Sequence, residues 1–113
     1  MTHACKACAV HCMDFRIQKT TDNLLKSLGL SEGDFDRVSI AGGAANFEQL
    51  EKHLELSKKL HNPSQIILTI HEDCGAGAKI EDLEKTLKTT RENYPNCLSQ
   101  GFVTYLNGSW KEI

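Results

Sequence analysis

Ile66-Ile67-Leu68-Thr69-Ile70-His71-Glu72-Asp73-Cys74-Gly75-Ala76-Gly77 is the stretch from which the rest of the chain can be read. A short apolar, β-branched run stops abruptly at a histidine, and a cysteine follows three positions later with glycines behind it. The run is shorter than an ordinary helix and reads as a buried strand. In α/β sheets the chemistry gathers just beyond the carboxyl ends of the strands. His71 and Cys74 stand at such an end, close enough to share one metal ion.

Upstream of this strand, Asn62-Pro63 closes a strongly patterned helix that Asn46 caps, with Phe47, Leu50, Leu54, Ser57 and Leu60 on one side. Ahead of that helix, Arg37-Val38-Ser39-Ile40 reads as a strand ending at Ala41-Gly42-Gly43-Ala44, after a polar turn over residues 31–36. Residues 7–12, Ala-Cys-Ala-Val-His-Cys, form another buried strand, which must end where charges appear in Met13-Asp14-Phe15-Arg16. Thr20 or Thr21 caps the helix in between; Leu24, Leu25 and Leu28 share its inner face and Gly29 stops it. Downstream, a helix from Lys79 to Tyr94 turns Ile80, Leu83 and Leu87 inward, with Pro95 after its end. Residues 102–106 and 109–113 are strands joined through Asn107-Gly108, a strong hairpin dipeptide. Strands alternating with helices of this length require parallel β-α-β crossovers. The expected fold is therefore α/β, three layers deep, with the final hairpin adding an antiparallel edge strand.

The totals agree. A length of 113 residues is that of one domain (1–113), long enough for a real core. A net charge of −2 with scattered basic residues points to neither nucleic acid nor an anionic membrane as partner. No apolar run approaches the ~20 residues that span a bilayer. The opening Met1-Thr2-His3-Ala4-Cys5-Lys6 lacks the charged-then-apolar pattern of a signal peptide, so a cytoplasmic location is expected. Five cysteines in such a chain favour metal binding or catalysis over disulfides.

Three strand ends carry unusual residues: Cys12 with Asp14 and Arg16, the Gly42-Gly43 pair, and His71 with Cys74. In a parallel sheet these ends lie on one side. Two thiolates and an imidazole suit zinc, and three protein ligands leave a fourth tetrahedral position open, the mark of a catalytic site. Zinc in such a set lowers the pKa of a bound water to about 7. Asp14 lies within reach of the fourth position, either as a hydrogen-bond acceptor for its occupant or as a fourth ligand. Arg16 has the fork geometry to clamp that carboxylate and keep it ionised and off the metal. Gly42 and Gly43 let backbone approach the metal without a Cβ in the way.

These residues, Cys12-Met13-Asp14-Phe15-Arg16 followed by His71-Glu72-Asp73-Cys74-Gly75-Ala76, resemble the C-x-D-x-R and H-x-x-C-G-A signatures of the β-class carbonic anhydrases. Gly33-Asp34-Phe35-Asp36-Arg37-Val38, Ala41-Gly42-Gly43 and Gly101-Phe102-Val103-Thr104-Tyr105 resemble further segments of that family, in order along nearly the whole chain. The resemblance implies a four-stranded parallel sheet of order 2-1-3-4 with an extra antiparallel edge strand. It also implies zinc on Cys12, His71 and Cys74, an Asp14–Arg16 catalytic dyad, a substrate pocket at Gly42, Gly43 and Gly75, and hydration of carbon dioxide to bicarbonate by an obligate homodimer. Family members usually carry N-terminal helices that embrace the partner; here the dimer is expected to pair through the sheet edge or the helices flanking the site. Ser39-Ile40 replaces the usual Arg-Asn, and Glu72 and Asp73 put two carboxylates where small neutral residues are usual. Two alternatives stand beside hydration: a non-catalytic zinc-binding domain, and hydrolysis of a carbon–sulfur analogue such as carbonyl sulfide.

Two features fall outside this scheme. Cys5 and Cys8 form a C-x-x-C with His3 and His11 nearby, read first as an unpaired thiol-rich segment and second as a metal site built from Cys5, Cys8 and Cys97. Glu72 and Asp73 read first as solvated loop charges.

Overall fold

The computed structural model describes residues 3–113; Met1 and Thr2, part of the opening segment read above, lie outside them. Its strands are β1 (Ala7–Cys12), β2 (Phe35–Ile40), β3 (Gln65–His71), β4 (Leu98–Thr104) and β5 (Trp110–Glu112). Its helices are α1 (Gln18–Ser27), α2 (Phe47–His61) and α3 (Ile80–Asn93). The sheet order is β2-β1-β3-β4-β5, parallel throughout except for the antiparallel β4–β5 pair. The implied order and the antiparallel edge are both present.

Handedness then decides where the helices lie. From β1 the chain moves one way along the sheet to β2, then reverses and hops over β1 to reach β3. Right-handed crossovers must therefore place α1 on one face and α2 with α3 on the other. The two cores agree. Leu24 and Leu25 of α1 pack with Ala7, Ala9, Ile67 and Phe102. Leu50, Leu54, Leu83 and Leu87 of α2 and α3 pack with Cys8, Val10, Ile66 and Leu68. Alternate residues of β1 feed opposite cores, as the two-residue period of a strand requires, and all six are buried. The direction of winding reverses between β1 and β3, so the crevice for a ligand opens at their carboxyl ends.

At that crevice β1 and β3 part. Their pairing ends at Val10 and Leu68, and Gly43 fills the fork beyond. With φ at +53°, Gly43 brings its backbone so close that a Cβ would stand 2.6 Å from the Thr69 carbonyl oxygen and 2.9 Å from the Cys12 nitrogen. Gly43→Ala should cost about 2–4 kcal/mol in urea denaturation; a cost below about 1 kcal/mol would show that the fork relaxes freely.

Several boundaries differ from the sequence reading. Helix α1 starts before Thr20 and Thr21, which are buried inside it; a 3₁₀ turn over Phe15–Ile17 leads in, and the Asp14 side chain accepts from the Arg16 N–H. Strand β2 begins at Phe35, not Arg37, and β4 begins at Leu98, not Phe102. Leu60 and Ile80, expected inward, are 57% and 45% exposed. Asn46 does cap α2, accepting from the Gln49 N–H, and Asn62 closes it in the left-handed conformation. Among the described residues, no helix is long and apolar enough to cross a membrane.

Candidate metal centre

Cys12 ends β1 and His71 ends β3; Cys74 follows in the loop that leaves β3. Their ligand atoms all lie within 4.8 Å of one another, although Cys12 and His71 are far apart in sequence. Cys12 and His71 are buried and Cys74 is half-buried, so the cluster is closed toward the sheet and open toward the loop.

The histidine is set for coordination. His71 Nδ1 lies 2.7 Å from the Glu72 carbonyl oxygen, an acceptor, so Nδ1 carries the proton and donates it there. Nε2 is then a bare lone pair, buried and without a hydrogen-bond partner. A main-chain partner that fixes the far nitrogen is the usual support of a metal-binding imidazole.

Beside this cluster Arg16 grips Asp14. Nε donates to Oδ1 and Oδ2 at 3.1 and 3.2 Å, and Nη2 to Oδ2 at 2.7 Å. Hydrogen bonds from the Arg16 side chain and then its backbone hold Asp14 down to about 2, well below the usual carboxylate range. Asp14 Oδ2 stands 3.7 Å from His71 Nε2, so the carboxylate borders the cluster while its charge is taken up by the guanidinium.

Arg16 has a second partner that the sequence did not disclose. Nη1 donates to Asp73 Oδ2 at 3.1 Å and Nη2 to the Asp73 carbonyl at 3.0 Å, which ties the dyad to the Cys74 loop. Asp73 takes φ +53°, a left-handed turn that presents both groups to Arg16. Glu72 is not a free loop charge either: its Oε1 accepts from the Leu106 N–H at 2.7 Å, pinning the loop to the β4–β5 hairpin.

Two more residues brace the first strand end. Gln18 Nε2 donates to the Asp14 carbonyl at 2.8 Å and the Cys12 carbonyl at 3.3 Å. Arg37 Nε donates to His11 Nε2 at 2.8 Å, so His11 Nδ1 carries the proton given to the Cys12 carbonyl at 2.9 Å. Burial, then the charge of Arg37, holds this imidazole below its ordinary pKa; with both nitrogens engaged it is no ligand. No spacing rule marks Gln18 or His11, because both act on carbonyl groups.

The three candidate pocket glycines separate. Gly42 lines a shallow cleft of about 300 Å³ with Ala41, Ala76 and Gly77. Gly43 packs into the strand fork instead, and Gly75 faces open space.

Fold, crevice and donor set together define a β-carbonic-anhydrase-like α/β protein. The chain belongs to the family described as "Putative carbonic anhydrase", which matches residues 2–110. An uncharacterized protein of Rickettsia bellii (strain RML369-C) is 32% identical, aligned over 92% of this chain and 79% of its own. The carbonic anhydrase from Glaciozyma antarctica shares the fold with a TM-score of 0.76 at 18% identity, over 99% of this chain and 83% of that one. The apo form of a carbon disulfide hydrolase does so with a TM-score of 0.73 at 16% identity, over 98% and 79%.

Proposed function

We propose that this chain is a zinc-dependent carbonate dehydratase, converting carbon dioxide and water to bicarbonate and a proton. Cys12, His71 and Cys74 hold the metal, and Asp14 and Arg16 work beside it. The observation that carries the reading is the bare His71 Nε2, buried without a partner and gathered with two cysteine sulfurs. Leaving such an atom unsatisfied costs about 1–3 kcal/mol; a bond to a metal removes that cost. The donors suit zinc and leave a position for water. When bound, zinc supplies the Lewis acidity that brings a water to a pKa of about 7.

The remaining work falls to the chain's own residues. Asp14, held at about 2, is an acceptor and not a base at neutral pH: it orients a water by accepting its hydrogen bond and leaves the proton to buffer. Arg16 keeps that carboxylate turned to the guanidinium, and through Asp73 fixes the loop that bears Cys74. Met13 and Phe15 flank the dyad with apolar side chains 63% and 86% exposed; a second copy packed over them in a homodimer would wall the open side of the site.

A second reading, hydrolysis of a carbon–sulfur analogue such as carbonyl sulfide, is supported by the likeness in fold to a carbon disulfide hydrolase. Stopped-flow hydration of carbon dioxide, run beside carbonyl sulfide consumption on protein of measured zinc content, separates them. Hydration should exceed the buffer rate and scale with zinc. Carbonyl sulfide turnover without hydration would favour the second reading. No turnover at any pH, alkaline included, would leave a non-catalytic zinc domain.

A further inference from the structure

A second group of potential ligands lies at the opposite end of the sheet. Cys5 precedes β1, Asp36 is the second residue of β2, and His61 is the last residue of α2. Their ligand atoms also lie within 4.8 Å of one another. Cys5 and Cys12 are seven residues apart along an extended chain, roughly 20 Å at ~3.3 Å per residue, so the two groups share nothing.

We propose that Cys5, Asp36 and His61 form a second site for a zinc-class divalent ion, with His3 placed to approach as a fourth ligand. A thiolate, an imidazole and a carboxylate are the donor types zinc takes. Their placement is built into the backbone: the Cys5 N–H donates to the His61 carbonyl at 3.0 Å, which locks the segment before β1 to the end of α2. Asp36 is oriented by Ser57, whose hydroxyl donates to Oδ2 at 2.6 Å, as a supporting residue orients a ligating carboxylate. The His3 ring stands 6.5 Å from that of His61, centre to centre.

The geometry needs small changes to hold an ion. Zinc bonds of about 2.0–2.3 Å put tetrahedral donors roughly 3.3–3.8 Å apart. His61 Nδ1 now lies 2.7 Å from Asp36 Oδ2, a hydrogen bond that an ion would replace by entering between them. On binding, the Cys5 thiol loses its proton to solvent, and the imidazole proton passes from Nδ1 to Nε2. All three side chains are half-buried, which leaves a path from solvent.

This cluster differs from the second reading of the C-x-x-C, a metal site of Cys5, Cys8 and Cys97. Cys8 points into the core between α2 and the sheet, and Cys97 lies against Lys58 Nζ and the Pro63 carbonyl. Neither belongs to the cluster.

The test uses the full chain, stripped with a chelator and dialysed against micromolar zinc, with metal counted by mass spectrometry and folding checked by circular dichroism. Wild type should hold about two zinc ions per chain, and Cys12→Ser, Cys74→Ser about one. Adding Cys5→Ser or His61→Gln to that double variant should remove the remaining ion. Cys5→Ser alone should leave carbon dioxide hydration unchanged.

A second arm needs no variant. Zinc should slow alkylation of Cys5 in the wild-type chain by about tenfold or more. Cys8, whose thiol burial pushes up to about 11, should stay unmodified with or without zinc. A Cys12→Ser, Cys74→Ser chain that takes up no zinc, uptake indifferent to both Cys5→Ser and His61→Gln, or Cys5 alkylated equally fast with zinc present would overturn the proposal. The fate of the first site is read separately, from the metal that the double variant loses.

Discussion

Replacing Cys12 and Cys74 together by serine should abolish carbon dioxide hydration and remove the zinc held at the carboxyl ends of β1 and β3. Serine keeps the size of each side chain but offers a hydroxyl that stays protonated at neutral pH and binds zinc poorly. The folded chain should survive, because the cores around Ile67 and Leu68 contain no part of the site. What disappears is the stabilisation that ligand binding adds, about 4 kcal/mol when free zinc is a thousand times the dissociation constant. The zinc-dependent gain in urea denaturation should be larger in wild type than in the double variant, and the difference is this site's share. A double variant that kept both its full metal content and its activity would remove the central assignment.

Asp14→Ala and Arg16→Ala should both retain zinc and both lose hydration, for different reasons. Without Asp14 the site lacks the acceptor that orients the attacking water, a loss of roughly 10²–10³ in kcat/KM. Without Arg16 the carboxylate is released, and Oδ2, only 3.7 Å from His71 Nε2, can swing onto the metal and close its fourth position. X-ray absorption should then show a carboxylate carbon behind the single oxygen ligand in Arg16→Ala and none behind the water oxygen kept by Asp14→Ala, a difference that a merely structural role would not produce. Asp73→Ala serves as the control. Its contact to Arg16 is exposed and screened by solvent, and the Asp14–Arg16 grip stays intact. Wild-type rates in both dyad variants would reduce the pair to a surface ion bridge.

The sequence disclosed those parts of the molecule in which side-chain type and backbone conformation depend on each other. Strand β1 was legible residue for residue, because an unbroken buried run has one reading in a parallel sheet. The gathering of Cys12, His71 and Cys74 was legible because the ends of β1 and β3 lie side by side in a parallel sheet. The start of β4 was not, since Leu98-Ser99-Gln100-Gly101 pairs with β3 through main-chain groups that any side chain can carry. Thr20 and Thr21 look like helix caps, yet Thr21 Oγ1 donates back to the Ile17 carbonyl inside α1, satisfying its hydroxyl where burial would otherwise forbid it. Leu60 and Ile80 follow the helical period but sit in the terminal turns of α2 and α3, where both stay exposed. Asp73, Gln18 and Glu72 act through contacts with distant residues or carbonyl groups, and such pairings leave no trace in local spacing.

The way β1 spaces its cysteines bears on how the molecule reaches its metal. Folding sends Cys5 to one end of the strand, Cys8 into the core and Cys12 to the other end. Before folding, His3, Cys5, Cys8, His11 and Cys12 lie along a single flexible segment and together make a competent chelator of their own. Zinc bound there favours the unfolded ensemble, so the ion's net stabilisation is smaller than its affinity for the native chain implies. Neither core holds a residue of either ligand cluster, so nothing in the packing requires the ion to bind before the chain folds and parts these thiols.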